Sequence, residues 1–205
     1  MTRTGTPHRR ALFAAALAWA VLGACSSAAP PRFHSLMAAP AAAPSAAVAP
    51  AGAVAWEVLA VTVPPGVDQP QWVVRSADGS LAVLEQERWV GPLGEEIRAA
   101  VSARIMQAMG ASAVASTPLW RVRIDVLRFE SAPAREARLD AVWSVGSDAD
   151  PARSLRCRGE FTQAINATGY VALAKGHQQG VVQLAEAIAR QLNALSAGRA
   201  ANCQA

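Results

Sequence analysis

At 205 residues, 52% of them apolar and 17% charged, the chain is long enough to bury one substantial core and too short for several domains. Its formal charge of +4 overstates the basicity of the folded part. Arg3, Arg9 and Arg10 lie in the first 24 residues, which hold no acid; without that segment 181 residues carry +1, which is no footprint for nucleic acid.

In chain order the first feature is a cationic start followed by an apolar run, Ala11 to Leu22. That run suits the h-region of a secretory signal and is too short to span a bilayer as a helix. It ends in Leu22-Gly23-Ala24-Cys25, a lipobox, so residues 1–24 read as a lipoprotein signal peptide and Cys25 as the lipidated first residue of the mature chain. One acyl chain binds a membrane marginally, whereas two or more hold it stably. His8-Arg9-Arg10-Ala11-Leu12-Phe13 loosely resembles a twin-arginine export signal, but a plain positively charged start accounts for it better. Ser26, not aspartate, follows the cysteine. By resemblance to enterobacterial sorting rules this predicts the outer membrane, with the protein facing the periplasm. Export also leads to an oxidising compartment. There Cys157 and Cys203, the only other cysteines, can pair or remain two free thiols; a bridge would close a loop of 46 residues, for roughly 4 kcal/mol at most.

Residues 25–55 are mostly alanine and proline without apolar periodicity, and they read as a lipidated tether. Such a tether spans roughly 30 Å on average and roughly 90 Å when extended. The domain is expected over 56–198, with a short tail at 199–205. Val58 to Val63 reads as a buried strand closed by Pro64-Pro65. Pro70 to Arg75 reads as a strand at an edge, Asp78-Gly79 as a turn, and Leu81 to Leu84 as a short strand. Leu93, Ile97, Val101, Ile105 and Met109 line one face of a helix over Pro92 to Met109, which Gly110 ends.

Three amphipathic strands follow. Trp120, Val122, Ile124 and Val126 alternate with charged residues, and a register shift onto Leu127 and Phe129 predicts a bulge. Leu139 to Val145 and Leu155 to Phe161 alternate likewise, each with one dry and one wet face. A long helix from about Gly169 to Leu195 carries Val181, Leu184, Ala185, Ile188, Leu192 and Leu195 on one stripe, and Gly176 and Gly180 weaken its first half. The element order predicts a single α/β domain: a mixed, mostly antiparallel sheet packed by two main helices.

No catalytic or cofactor motif emerges. His8 falls in the signal and His34 in the tether, which leaves His177 and predicts no multi-histidine metal site. His177 reads as a surface or half-buried helix residue, and a hydrolase would have to be built on it. Glu95 and Glu96 at a helix start serve the macrodipole. No cofactor or metal is expected, and the protein reads as no enzyme.

Several clusters carry a resemblance. They are Asp68-Gln69-Pro70-Gln71-Trp72-Val73-Val74-Arg75, Glu87-Arg88-Trp89-Val90-Gly91-Pro92-Leu93, Arg128-Phe129-Glu130, and Leu139-Asp140-Ala141-Val142-Trp143. Gly169-Tyr170-Val171-Ala172-Leu173 and Gln183-Leu184-Ala185-Glu186-Ala187-Ile188-Ala189 complete the set. Together they resemble the ABC-type transport auxiliary lipoproteins over roughly Trp56 to Leu195. The resemblance implies a three-layer α/β fold similar to the TolB amino-terminal domain. It also implies a non-enzymatic, lipid-anchored component at the outer membrane. The implied partners are an inner-membrane permease with its ATPase and a mammalian-cell-entry (MCE) domain protein, the implied cargo is lipid, and a homo-oligomeric ring is within the family's range. The tether is longer and Lys175-Gly176-His177 more polar than the family pattern. An envelope lipoprotein that docks or activates another partner, such as a peptidoglycan synthase, is the alternative.

Physically, Trp89 is expected to staple the start of the first long helix ahead of Pro92. Arg75, at a strand end, is expected to pair with Glu87 or Glu85. Arg75, Arg88 and Trp89 are the candidate partner-facing surface, with a structural ion pair as the competing account of Arg75.

Overall fold

The computed structural model describes residues 29–37, 54–112 and 118–203. The signal peptide, Cys25 and the Ala/Pro-rich stretch 38–53 lie outside the described residues. In chain order the elements are β1 (Arg32–His34), β2 (Ala55–Val58), β3 (Gln71–Arg75), β4 (Leu81–Trp89), α1 (Leu93–Met109), β5 (Leu119–Ala132), β6 (Glu136–Ser147), β7 (Asp150–Ala164) and α2 (Tyr170–Ser196). They form a single α/β domain of two mixed sheets and two helices. The larger sheet has the order β2-β5-β6-β7, and the smaller has β1-β4-β3.

The long antiparallel meander β5-β6-β7 follows the alternation in the sequence. Val122, Ile124, Leu139, Ala141, Trp143, Val145, Cys157 and Phe161 are buried on one face. The register shifts between Val126 and Arg128, where the alternation changes phase; without that bulge Phe129 would point to water. Arg123, Arg156 and Arg158 occupy the opposite, wet face and are exposed.

Helix α2 lies over β6 and β7 on the dry face, and α1 packs beside α2. The predicted stripe of α1 is inside: Leu93, Ile97, Val101 and Ile105 are fully buried. So are Leu173, Leu184, Ala185, Ile188 and Leu192 of α2. Gly176 weakens this helix intrinsically, yet the fold requires it. A Cβ there would stand 2.5 Å from Ile165 Cδ1 and 3.0 Å from Ala137 Cβ, so the helix lies closer to the sheet than any side chain permits.

In its elements the structure departs from the sequence reading in three places. First, Val58 to Val63 is not one strand. β2 ends at Val58, and Thr62 rejoins β5 as an isolated parallel bridge to Asp125. Leu59 N–H donates to Val122 O and Thr62 N–H to Ile124 O, so three residue steps on one side span two on the other and the ladder breaks. Second, the strand from Leu81 continues to Trp89.

Third, the tether reading fails for residues 32–37. Arg32–His34 forms a strand parallel to β4, in register with Glu87, Arg88 and Trp89, and Leu36 is buried. Large side chains interrupt the alanine and proline here, which gives the segment something to bury. The Cys157–Cys203 pairing that the sequence allowed is present, and it pins the tail at 199–205 as far as described. Cys203 is joined to Cys157 with Cα atoms 5.3 Å apart, and Gln191 Nε2 donates to Asn202 O at 3.1 Å.

Candidate functional site

Strand β1 approaches the domain over two buried carboxylates. Glu87 takes Arg32 on one oxygen and His34 Nε2, at 2.6 Å, on the other. Glu96 accepts from the Ser35 hydroxyl at 2.8 Å and from the Leu36 backbone N–H at 2.9 Å. Gln178 of α2 completes the clamp by donating to Ser35 O at 2.9 Å. Glu96 therefore does more than complement the dipole of α1. Removing this strap would take these hydrogen-bond partners from both carboxylates, and bonds to a charged group contribute roughly 1.5–3 kcal/mol each. The strap is part of the fold.

Under the strap lies an aromatic cluster. His34 meets Trp72 edge-on with ring centroids 4.9 Å apart, and Trp72 packs on Trp89 at 4.4 Å. Trp89 reaches Phe129 at 5.8 Å, and Phe129 stacks on His177 at 4.0 Å with 12° between planes. Trp89 does stand ahead of α1, but it is buried and cannot face a partner. This corrects its place on a partner surface.

The sequence reading also misplaced His177, which is 1% exposed. Trp72 Nε1–H donates to Ser131 Oγ at 2.8 Å. Ser131 Oγ also shares a hydrogen bond with His177 Nε2, 2.7 Å away, whose direction is set by the ring tautomer. Burial pushes the His177 pKa down from 6.5 to about 3, so the ring is neutral at neutral pH. The pair has the elements of a nucleophile and its base, but Ser131 is buried and His177 Nδ1 has no partner to orient it. Ser131 itself is 1% exposed and borders a cleft beside the aromatic cluster. The arrangement is a polar peg through the core.

A pH dependence follows. The unfolded chain binds a proton at His177 near 6.5 and the native chain near 3. The neutral ring's contribution is therefore fully present above pH 6.5 and lost as pH falls through that window, at about 1.4 kcal/mol per pH unit. Denaturant titrations between pH 7 and 4 should show this slope, and His177→Gln should flatten it by about that amount.

Arg75 and Arg88 stay at the surface. Arg75 pairs with Glu130 and donates to Gly79 O at 2.9 Å. Neither Glu85 nor Glu87 is its partner, because the β3–β4 register sets Arg75 opposite Leu81. Arg88 holds Glu85 at 3.7 Å. Arg75 lines a cleft of about 390 Å³ with Val73, Leu81, Leu127 and Phe129. Among the described residues no three His, Cys, Asp or Glu converge as a metal set, and no helix is long and apolar enough to cross a membrane.

The geometry is that of a docked strap and a sealed core, and comparison with known proteins agrees in fold. A family model described as the ABC-type transport auxiliary lipoprotein component matches residues 34–189. The match begins at His34, inside the strap. A crystal structure of an uncharacterized protein is 17% identical with a TM-score of 0.63, covering 78% of this chain and 97% of its own. A crystal structure of a Xanthomonas campestris protein assigned to a domain family of unknown function is 23% identical with a TM-score of 0.54. It covers 69% of this chain and 85% of its own. No curated protein matches the chain.

Proposed function

From a chain that belongs to the ABC-type transport auxiliary lipoprotein family, we infer an outer-membrane-anchored periplasmic component of an intermembrane lipid transport system. It acts by docking and not by catalysis. Its partners are an MCE-domain protein that crosses the periplasm and an inner-membrane permease with its ATPase.

The observation that carries this reading is the coincidence of two features of one chain. Cys25 stands in a lipobox, and the family match opens at His34, nine residues later. The anchor thus leads directly into the docked strap. The burial of Ser131 and His177 fits a role by docking.

Affinity isolation of the lipidated protein from detergent-solubilised membranes, with mass spectrometry of what co-purifies, tests the proposal. Recovery of an MCE protein together with an ABC permease or ATPase is the expected result. Recovery of a peptidoglycan synthase without any transport component would replace this reading with that of an activator.

A further inference from the structure

The outer face of the small sheet is apolar; Val73 on it is covered, and its other large apolar side chains are exposed. Trp72, Trp89 and His34 mark its inner face through their packing in the core. Side chains alternate along strands, so Val73 and Arg75, with their directly paired partners Val83 and Leu81, lie on the opposite face. Phe33 pairs with Arg88, and Arg88 with Gln71, which adds Phe33 to that same face. Phe33 is 60%, Leu81 62% and Val83 49% exposed, and Leu127, which shares the cleft with Leu81, is 48% exposed. These are four of eight large apolar side chains exposed among the described residues, gathered on one surface. Arg75 and Arg88, each paired with a glutamate, supply the cations of this face.

We propose that this face lies against the lipid surface to which Cys25 is anchored, as a second, protein-borne membrane contact. The proposal rests on the lipidation of Cys25 inferred above. Phe33 belongs to the strap, eight residues after Cys25. At roughly 3.3–3.6 Å per residue the chain lets Phe33 stand no more than about 29 Å from the acylated residue. The anchor therefore holds this face within reach of the bilayer whatever course the intervening residues take. Exposed apolar side chains flanked by arginines suit the boundary between acyl chains and anionic headgroups. The competing occupant within the chain is the segment 38–53. It contains no side chain larger than valine or proline, so it offers little apolar area to cover phenylalanine and leucine.

The mature, lipidated protein is reconstituted into vesicles of phosphatidylethanolamine and phosphatidylglycerol carrying acyl-chain quenchers. An environment-sensitive fluorophore is attached at Val83→Cys, at Leu81→Cys as a second position, or at Thr162→Cys on the exposed side of β7 as the reference. Quenching at positions 81 and 83 is expected to exceed that at 162 by about threefold or more, because interfacial burial runs 5–10 Å deep. Equal quenching at the three positions overturns the proposal. So does a fluorophore at 81 and 83 already shielded from aqueous iodide on detergent-free Cys25→Ala protein, which identifies segment 38–53 or a second copy as the occupant. Mass analysis of the amino-terminal peptide separates the two inferences. An unacylated Cys25 overturns the anchor reading and the argument for the membrane with it. An acylated Cys25 with equal quenching overturns the membrane-facing assignment alone.

Discussion

Replacing Cys25 by alanine is expected to release the protein from the membrane and abolish its function while leaving the domain folded. Buried acyl chains contribute about 0.8 kcal/mol per methylene, and the substitution removes all of them at once. The apolar side chains on the small sheet cannot compensate. Each contributes about 1.5–3 kcal/mol if fully buried, which barely meets the 4–15 kcal/mol that association itself costs. Stability should not change, because the first residue seen to bond the domain is Arg32, seven positions on. The measurements are membrane fractionation, thermal unfolding and complementation of a deletion strain. Full complementation by soluble, folded Cys25→Ala protein would remove anchoring from the mechanism.

The strap changes what the anchor does. A free Ala/Pro tether would let the domain wander by tens of ångströms. With Arg32 and His34 bonded to Glu87, only residues 26–31 lie between the anchor and the first bonded residue. That is a reach of roughly 25 Å at most. An anchor at Cys25, as proposed, would thereby confine the domain close to the membrane.

Removing the Cys157–Cys203 bridge should be the most destabilising single change at the carboxyl end. In the chain-entropy model, closing a loop with a sequence separation of 46 constrains the unfolded chain by about 4 kcal/mol. The bridge also holds residues 199–203 against the domain. There Gln191 links Trp143 Nε1, 2.7 Å from its Oε1, to Asn202 O and Cys157 Sγ. Cys157→Ala with Cys203→Ala should lower stability to chemical denaturation by about 3–4 kcal/mol, since strain and residual structure reduce the ideal value. The same loss should follow from reductant acting on the unaltered protein. Insensitivity of the unaltered protein to reductant would mean the thiols are free in solution. Double substitution without loss would mean that the carboxyl-terminal contacts alone hold residues 199–203.

What could be read from the sequence was whatever repeats along it. The stripe of α1, the stripe of α2, the alternation of β5–β7 and the bulge after Val126 each follow from a local periodicity that a buried face imposes. The family resemblance was legible for the same reason, in short clusters such as Glu87-Arg88-Trp89. The lipobox was legible because an enzyme reads it as sequence, before any folding.

Other features depend on residues distant along the chain. His34 lies 53 positions from Glu87 and Ser35 61 positions from Glu96, so nothing local distinguishes the strap from the alanine and proline around it. The clue was compositional: Arg32-Phe33-His34-Ser35-Leu36-Met37 is a run of larger residues in a low-complexity stretch. His177 carried no such clue. Its neighbours Gly176 and Gly180 suggested a weak helix start, whereas in the fold Gly176 brings α2 down onto Ile165 and Ala137 and buries the imidazole with it. Arg75 likewise found Glu130, 55 positions away, because two sheets meet there. The sequence by itself determined the helices and the long strands, since these depend on neighbours within a turn or two. Only the tertiary structure decided which polar groups would be buried together, because desolvation is set by what packs on top, and that packing comes from elsewhere in the chain.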